Sequence, residues 1–166
     1  MLRELRVDDI PELQRILFAT AAFTSAEVAV AMELLEIAIT QPQQRDYEVA
    51  VAEVMMKVAG YVLFGPIPAT EGNFDLYWIA VDPAAQGTGI GQHLIEHVEE
   101  EARQRGGRMV CLETSSQGGY SRTRSFYEKA GYLLESRIRD FYKPGDDRLT
   151  YVKRLCLSNE RGRGRR

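Results

Sequence analysis

Hydrophobic positions along this chain recur with two periods, and the switches between them mark out the elements. Behind Asp8, Asp9 and Pro11, the residues Ile10, Leu13, Ile16 and Leu17 fall at helical spacing and predict a first helix. "TSAE" (Thr24 to Glu27) is a capping-box pattern, and Val28, Met32, Leu35 and Ile39 carry one apolar face of a second helix up to Gln41 and Pro42. Three strand-like runs follow, "YEVAVAEV", "VAGYVLFGP" and "FDLYWIAV", separated by turn-rich breaks that predict an antiparallel meander. A glycine turn then opens a helix from about Gly89 to Arg105. "RMVCLETS" reads as another strand, "TRSFYEKA" as a short helix ended by Gly131, and two last strands flank "KPGDD". With "LRELRV" as the first strand, the order is strand, two helices, three strands, helix, strand, helix, two strands. That order predicts an α/β (α+β) domain with a mixed, mostly antiparallel sheet flanked by helices, and it excludes a doubly wound parallel array.

Composition narrows the class. The chain has 166 residues, 45% of them hydrophobic, enough for one domain with its own core. No repeat or long linker interrupts residues 1–157, so they read as a single domain, and 158–166 as a basic, disordered tail. The formal net charge of −3 does not suggest a nucleic-acid partner. Because "ERGRGRR" holds four arginines at the end, the body is more acidic than the total, which favours cationic ligands. Cys111 and Cys156 sit in apolar runs far apart and read as reduced core thiols. "MLRELRVDD" is charged from its third residue and Glu33 and Glu36 interrupt the most apolar run, so neither a secretory signal nor a membrane span is expected. The expectation is a soluble, cytoplasmic protein.

The stretch "QGTGIGQHLIEH", Gln86 to His97, carries two signatures. Its second half spells H-x-x-E-H, a zinc-hydrolase pattern. On a helix, however, His93 and His97 fall away from the apolar stripe of Gly91, Leu94, Ile95, Val98 and Ala102, toward solvent, and the chain has no third histidine. No metal is expected. The first half misses G-x-G-x-x-G because Gln92 stands where the third glycine is required, and it lacks the Lys-Ser/Thr of a Walker loop. What remains is a glycine turn at a helix N-terminus, where the main-chain N–H groups of Gly87, Gly89 and Gly91 can approach an anion such as a diphosphate.

Gln86, Gly89 and Gly91 also fit the motif Arg or Gln, two residues, Gly, one residue, Gly or Ala. "IAVDPAAQGTGIGQHLIEHV" thereby resembles the acetyl-CoA-binding segment of the GNAT superfamily of acyl-CoA-dependent N-acyltransferases. "TRSFYEKAGY" resembles a later segment of that family, with Phe126-Tyr127 followed three residues on by Gly131-Tyr132. The element order matches the same fold, so the resemblance spans the body of the chain. It implies acetyl-CoA as acyl donor. The main chain of Ile79, Ala80 and Val81 would pair with the pantetheine arm, and Gln86, Gly87, Thr88, Gly89, Ile90, Gly91 and Gln92 would hold the phosphates. The family often has an Asn seven residues before the motif tyrosine; this chain has Tyr120 there.

The same resemblance assigns chemistry. Tyr127 takes the position of the acid that protonates the departing thiolate. Glu113 takes the position of the proton acceptor in the family's ribosomal-protein N-terminal acetyltransferases, and Asp75 that of a glutamate base in other members. Strict alternation puts Asp75 on one strand face with Tyr77, Ile79 and Val81. The first two helices and the last hairpin ("FATAAFTSAEV" and "FYKPGDDRLTY") would wall the acceptor, and Asp146 or Asp147 would meet an ammonium group or simply form a polar turn. The implied function is acetyl transfer from acetyl-CoA to a primary amine, on a small molecule or a protein N-terminus. Transfer is direct within a ternary complex, since neither cysteine has a histidine signature nearby. The competing reading is a non-catalytic acyl-CoA-binding module of the same fold. Family habit suggests a homodimer.

Overall fold

The structure, a computed structural model, describes residues 1–155; Cys156 and the 158–166 tail lie outside the described residues. The elements are β1 (Leu2–Glu4), α1 (Ile10–Ala19), α2 (Ser25–Thr40), β2 (Glu48–Val54), β3 (Lys57–Pro66), β4 (Asn73–Val81), α3 (Ile90–Gln104), β5 (Met109–Ser115), α4 (Ser121–Lys129), β6 (Leu133–Lys143) and β7 (Asp146–Arg154). They form one seven-stranded sheet in the order β1-β2-β3-β4-β5-β7-β6. Every neighbouring pair is antiparallel except β4 and β5, which run parallel and are joined through α3.

Both faces of the central strands are covered, which is why β3 reads as a near-continuous apolar run. Leu13, Ile16 and Leu17 of α1 and Val28, Ala31 and Leu35 of α2 bury Val51, Tyr61, Leu63 and Ala80 on one face. Leu94, Ile95, Val98 and Ala102 of α3, with Tyr127 of α4, bury Val62, Phe64, Leu76, Val110 and Leu112 on the other. Each such aliphatic side chain withdrawn from water contributes about 1.5–3 kcal/mol. A charged cluster ties the second layer together. Glu99 of α3 is buried, accepts from Lys153 Nζ at 2.7 and 2.8 Å and from Arg103 Nη2 at 3.1 Å, and Lys153 also donates to the Ala130 carbonyl at 2.8 Å. The end of α4 is thus fixed to α3 and β7.

Helix starts repay a residue-by-residue reading. Thr24 and Glu27 make the expected reciprocal capping box on α2, with Thr24 Oγ1 accepting from Glu27 N at 3.2 Å and Glu27 Oε2 accepting from Thr24 N at 2.7 Å. At the start of α1, marked in the sequence by Asp8 or Asp9 before Pro11, Asp9 is the N-cap but its side chain makes no such bond. Its carboxylate takes a bidentate pair from Arg3 of β1 at 2.7 and 2.8 Å and accepts the Arg6 N–H, so it locks the first strand to the first helix instead.

The principal departure from the alternating pattern is a β-bulge in β4. Leu63 of β3 sits opposite Trp78 while the next residue, Phe64, sits opposite Leu76, leaving Tyr77 as the extra residue. The bulge reverses the facing of everything beyond it. Phe74, Leu76, Ile79 and Val81 belong to the α3 side, and Tyr77, Trp78 and Ala80 to the α1–α2 side. Asp75, between Phe74 and Leu76, therefore shares a face with Tyr77 but not with Ile79 and Val81. Uninterrupted alternation fails because period-two counting cannot register an inserted residue.

Candidate active site

β4 and β5 pair only from Asn73↔Met109 to Leu76↔Leu112. Beyond that point the two strands part, β4 running on to Val81 and β5 to Ser115. A cavity of about 860 Å³ fills the split and is lined by Tyr77, Trp78, Ile79, Ala80, Val81 and Gln86 from one strand and its turn, and by Glu113, Thr114, Ser115 and Tyr127 from across it. Phe23, Thr24 and Glu27 from the start of α2, and Tyr142, Lys143 and Asp146 from the β6–β7 hairpin, close its far side. The edge of β4 turned to the split offers main-chain groups to an incoming extended ligand in place of the missing strand.

The split runs toward the N-terminus of α3. Gly87 and Gly89 have φ of +78° and +91°, and open space surrounds the point where each would carry a Cβ, so these glycines serve backbone conformation. Gly91 differs. A Cβ there would lie 3.3 Å from Phe126 Cζ, which makes it the residue that lets α4 pack against α3. Gly89 is the N-cap and no side chain caps the helix, so the first-turn N–H groups at Ile90, Gly91 and Gln92 are left without a side-chain acceptor at the cap. Several predicted side chains are engaged within the turn itself. Gln86 Nε2 donates to the Val81 carbonyl at 3.2 Å, Thr88 Oγ1 to the Ala85 carbonyl at 2.6 Å, and Gln92 Nε2 to Glu96 Oε1 at 2.8 Å.

Tyr127 is 5% exposed, with the rings of Phe126, Tyr132 and Tyr151 at centroid distances of 5.5, 6.3 and 6.3 Å, and it lines the cavity. Burial raises its phenol well above the ordinary value, because phenolate is disfavoured where water cannot solvate it. The group stays protonated across the physiological range. Glu113 lines the cavity and pairs with Arg148 at 3.4 Å. Asp75 lies behind the lining, in register with Cys111 of β5, and its carboxyl is pushed up to about 6, chiefly by burial and further by the negative charge of Glu113. The structure thus brings Tyr127 and Glu113 to the cavity wall and leaves Asp75 one layer back.

Tyr120, the departure from the family pattern, donates its hydroxyl to Glu27 Oε1 at 3.0 Å, joining the start of α4 to the start of α2. Asp146 and Asp147 separate in role. Asp147 is buried in an ion pair with Arg137 and accepts Asp140 N–H at 2.9 Å, whereas Asp146 lines the cavity and accepts Ser115 Oγ at 2.5 Å. Sequence reasoning placed Glu27 in a segment expected to wall the acceptor without singling it out, and missed Trp78 as a cavity residue. As an individual residue Glu27 was legible only as half of a capping box, and Trp78 reaches the α1–α2 side, where it meets Phe23 at 5.7 Å, only because of the bulge. The two histidines also divide: His93 is exposed, but His97 is half-buried, edge-on to Phe64 at 6.0 Å, so the expectation that both face solvent holds for one. Among the described residues no three His, Cys, Asp or Glu side chains gather as a metal site, and no helix is long and apolar enough to cross a membrane.

Comparison with known proteins agrees with this geometry. Residues 45–133 match the family model described as an acetyltransferase (GNAT) domain. A solved structure from Desulfovibrio desulfuricans, assigned to the GNAT acetyltransferases, is 37% identical, with a TM-score of 0.90 over 94% of this chain and 99% of that one. A PaiA N-acetyltransferase of Thermoplasma acidophilum, solved in complex with coenzyme A, shares the fold at 18% identity, with a TM-score of 0.72 over 93% of this chain and 98% of its own. The blasticidin-S acetyltransferase of Streptomyces morookaense is 36% identical over 83 residues, which are 50% of this chain and 57% of that protein, so the chain matches little more than half the length of this curated relative. The domain match over more than half the chain and the full-length structural match establish that this chain belongs to the GNAT acetyltransferase family.

Proposed function

We propose that the protein transfers an acetyl group from acetyl-CoA to a primary amine, directly within a ternary complex. The observation that carries this reading is the split between β4 and β5, which leads from Gln86, in the turn before α3, past the open edge of Ile79–Val81 to the buried Tyr127. The open strand edge and the Tyr127 phenol line a single cavity, whose wall reaches Gln86 in the turn that opens α3. When bound, acetyl-CoA would supply the activated acyl group as a thioester. The main chain of Gly87, Gly89, Ile90, Gly91 and Gln92 would hold its phosphates, and β4 would align its arm.

Two proton problems then fall to the chain. An alkylamine with a pKa of about 10 is neutral in roughly one molecule per thousand at pH 7, a cost of about 4 kcal/mol, so the acceptor side needs a base. Glu113 lines the cavity and takes the proton directly or through water; Asp75, its carboxyl pushed up to about 6, stands behind it. On the donor side, Tyr127 hands its phenolic proton to the departing sulfur. Burial keeps that proton in place until thiolate charge develops beside it.

The test is calorimetric titration of acetyl-CoA into the whole protein with chelator present, followed by an assay of CoA release over a panel of small amines and peptides. Chelator-insensitive binding with turnover of at least one amine is expected. Failure of acetyl-CoA to bind folded protein refutes the reading.

A further inference from the structure

Two carboxylates of the cavity have no counter-charge. Asp146 is 7% exposed, yet its one hydrogen-bond partner is the Ser115 hydroxyl, and no Lys, Arg or His of the described residues forms an ion pair with it. Its second oxygen has no partner and is open to the cavity, where a bound cation would reach it. The neighbouring Asp147 shows what the fold supplies where the charge is structural: it is 5% exposed and has both an arginine and a main-chain N–H. Glu27, half-buried at the cavity wall, is the second. Its oxygens take Thr24 N–H, Thr24 Oγ1 and the Tyr120 hydroxyl, and no cation.

These carboxylates share one neighbourhood. The Tyr120 phenol is raised first by burial, next by the charge of Glu27, and further by Asp146. The Tyr142 phenol is raised chiefly by burial and by Glu113, is lowered by Arg148, and is raised further by Asp146 and Glu27. Two aromatic rings therefore stand among three negative charges at the acceptor end of the cavity, a combination suited to an organic cation. Glu113 is already matched to Arg148, whose guanidinium also lies 4.4 Å over the Phe141 ring. Arg122 and Lys143 line the same cavity, but neither pairs with Glu27, Asp146 or Glu113.

We propose, resting on the acetyltransferase reading, that the acceptor is a dication: beside its reacting amine it carries a second ammonium or guanidinium, bound by Asp146 and Glu27 next to Tyr120 and Tyr142. The second charge supplies the counter-ion that the described chain withholds from Asp146. The Tyr120–Glu27 bond places Glu27 where the cation arrives while also presenting an aromatic ring. A monoamine, or a peptide whose sole cation is its N-terminus, satisfies only the reacting end.

The experiment measures kcat/KM for CoA release with whole protein, comparing 1,3-diaminopropane through 1,8-diaminooctane with the monoamine of each chain length and with a peptide bearing no basic side chain. The best diamine should exceed its monoamine by roughly tenfold to a hundredfold, the range of one charge-assisted contact in a shielded site. That advantage should shrink with added salt. Asp146→Asn, which can still accept from Ser115, should reduce the diamine-to-monoamine ratio toward one. Glu27→Gln, which preserves the capping box, should lower it in part. Equal rates for diamines and monoamines, a ratio untouched by Asp146→Asn, or a peptide surpassing every diamine would overturn the inference. If no amine turns over, calorimetric titration of the diamines into CoA-loaded protein decides, binding that Asp146→Asn abolishes being the supporting result and no binding the refuting one. Acetyl-CoA titration of the same sample separates the two failures. Loss of acetyl-CoA binding sinks the transferase reading, whereas intact acetyl-CoA binding without diamine preference sinks only the dication.

Discussion

Asp75 offers the sharpest test, because the same burial that makes it basic makes it costly. Its carboxyl is pushed up from 3.8 to about 6 by burial, aided by Glu113. The folded state therefore binds this proton more tightly than the unfolded chain does. The stabilisation from protonation is fully present below pH 3.8 and is lost as pH rises through about 6. Roughly two pH units of displacement correspond to at most about 3 kcal/mol, and partial solvent access brings the expected figure to about 1–2 kcal/mol. Asp75→Asn preserves shape and removes the charge. Above pH 7 the variant should be more stable than the parent by that amount, a rise in Tm of about 3–6 °C for a domain of this size, and near pH 4 the two should coincide. Urea unfolding of both proteins at several pH values between these limits measures the difference. A difference that does not change with pH, or a variant less stable at pH 8, would refute the argument. Activity should move the opposite way: an acidic limb near pH 6 in the parent's kcat/KM profile should flatten in the variant if ionised Asp75 receives the proton passed on by Glu113.

Three further outcomes follow from the geometry. Tyr127→Phe should leave acetyl-CoA affinity intact, since the ring packing is unchanged, and lower kcat by roughly 10²-fold or more in the CoA-release assay; an unaltered kcat removes the phenol from the chemistry. Gly89→Ala meets no neighbour but must hold φ near +91°, so thermal unfolding should show a loss of about 1–2 kcal/mol, with acetyl-CoA binding weakened several-fold in calorimetry. Lys153→Met leaves Glu99 buried with only Arg103, and the urea midpoint should report a loss of about 2–4 kcal/mol, most of it from the stranded carboxylate rather than the missing contact.

Much of this molecule is legible in its sequence because the informative signals are local. The capping box at Thr24 and Glu27, the αL glycine at 89 and the two-period hydrophobic pattern each report a backbone state within a few residues. What escaped reading depended on relations across the chain. The role of Asp9 is set by Arg3, whose position relative to it is decided only when β1 docks beside α1. The face of Ile79 and Val81 is set by a bulge that shows only as a register slip against β3. Asp146 and Asp147 are adjacent in sequence but differently held: Arg137 and the Asp140 N–H, both from the neighbouring strand, engage Asp147, whereas Asp146 meets only the Ser115 hydroxyl and faces the cavity.

Under the proposed transfer, the bulge at Tyr77 lets one strand serve two ligands. Before it, Asp75 faces the α1–α2 side, where its elevated carboxyl adjoins Glu113. Beyond it, Trp78 still meets Phe23 on that side, while Ile79 and Val81 turn their side chains to the α3 layer and leave the strand edge to the split. An unbulged strand would place Asp75, Tyr77, Ile79 and Val81 together, with Trp78 buried against α3. The inserted residue thus sorts the acidic and aromatic groups toward the hairpin and the start of α2, and reserves the other side for packing behind the glycine turn. Deleting Tyr77 should therefore disrupt both halves of the site, whereas Asp146→Asn disturbs only one. Measuring acetyl-CoA affinity and amine selectivity on the same variants separates these effects, and a Tyr77 deletion that kept both would show that the bulge does not organise the site.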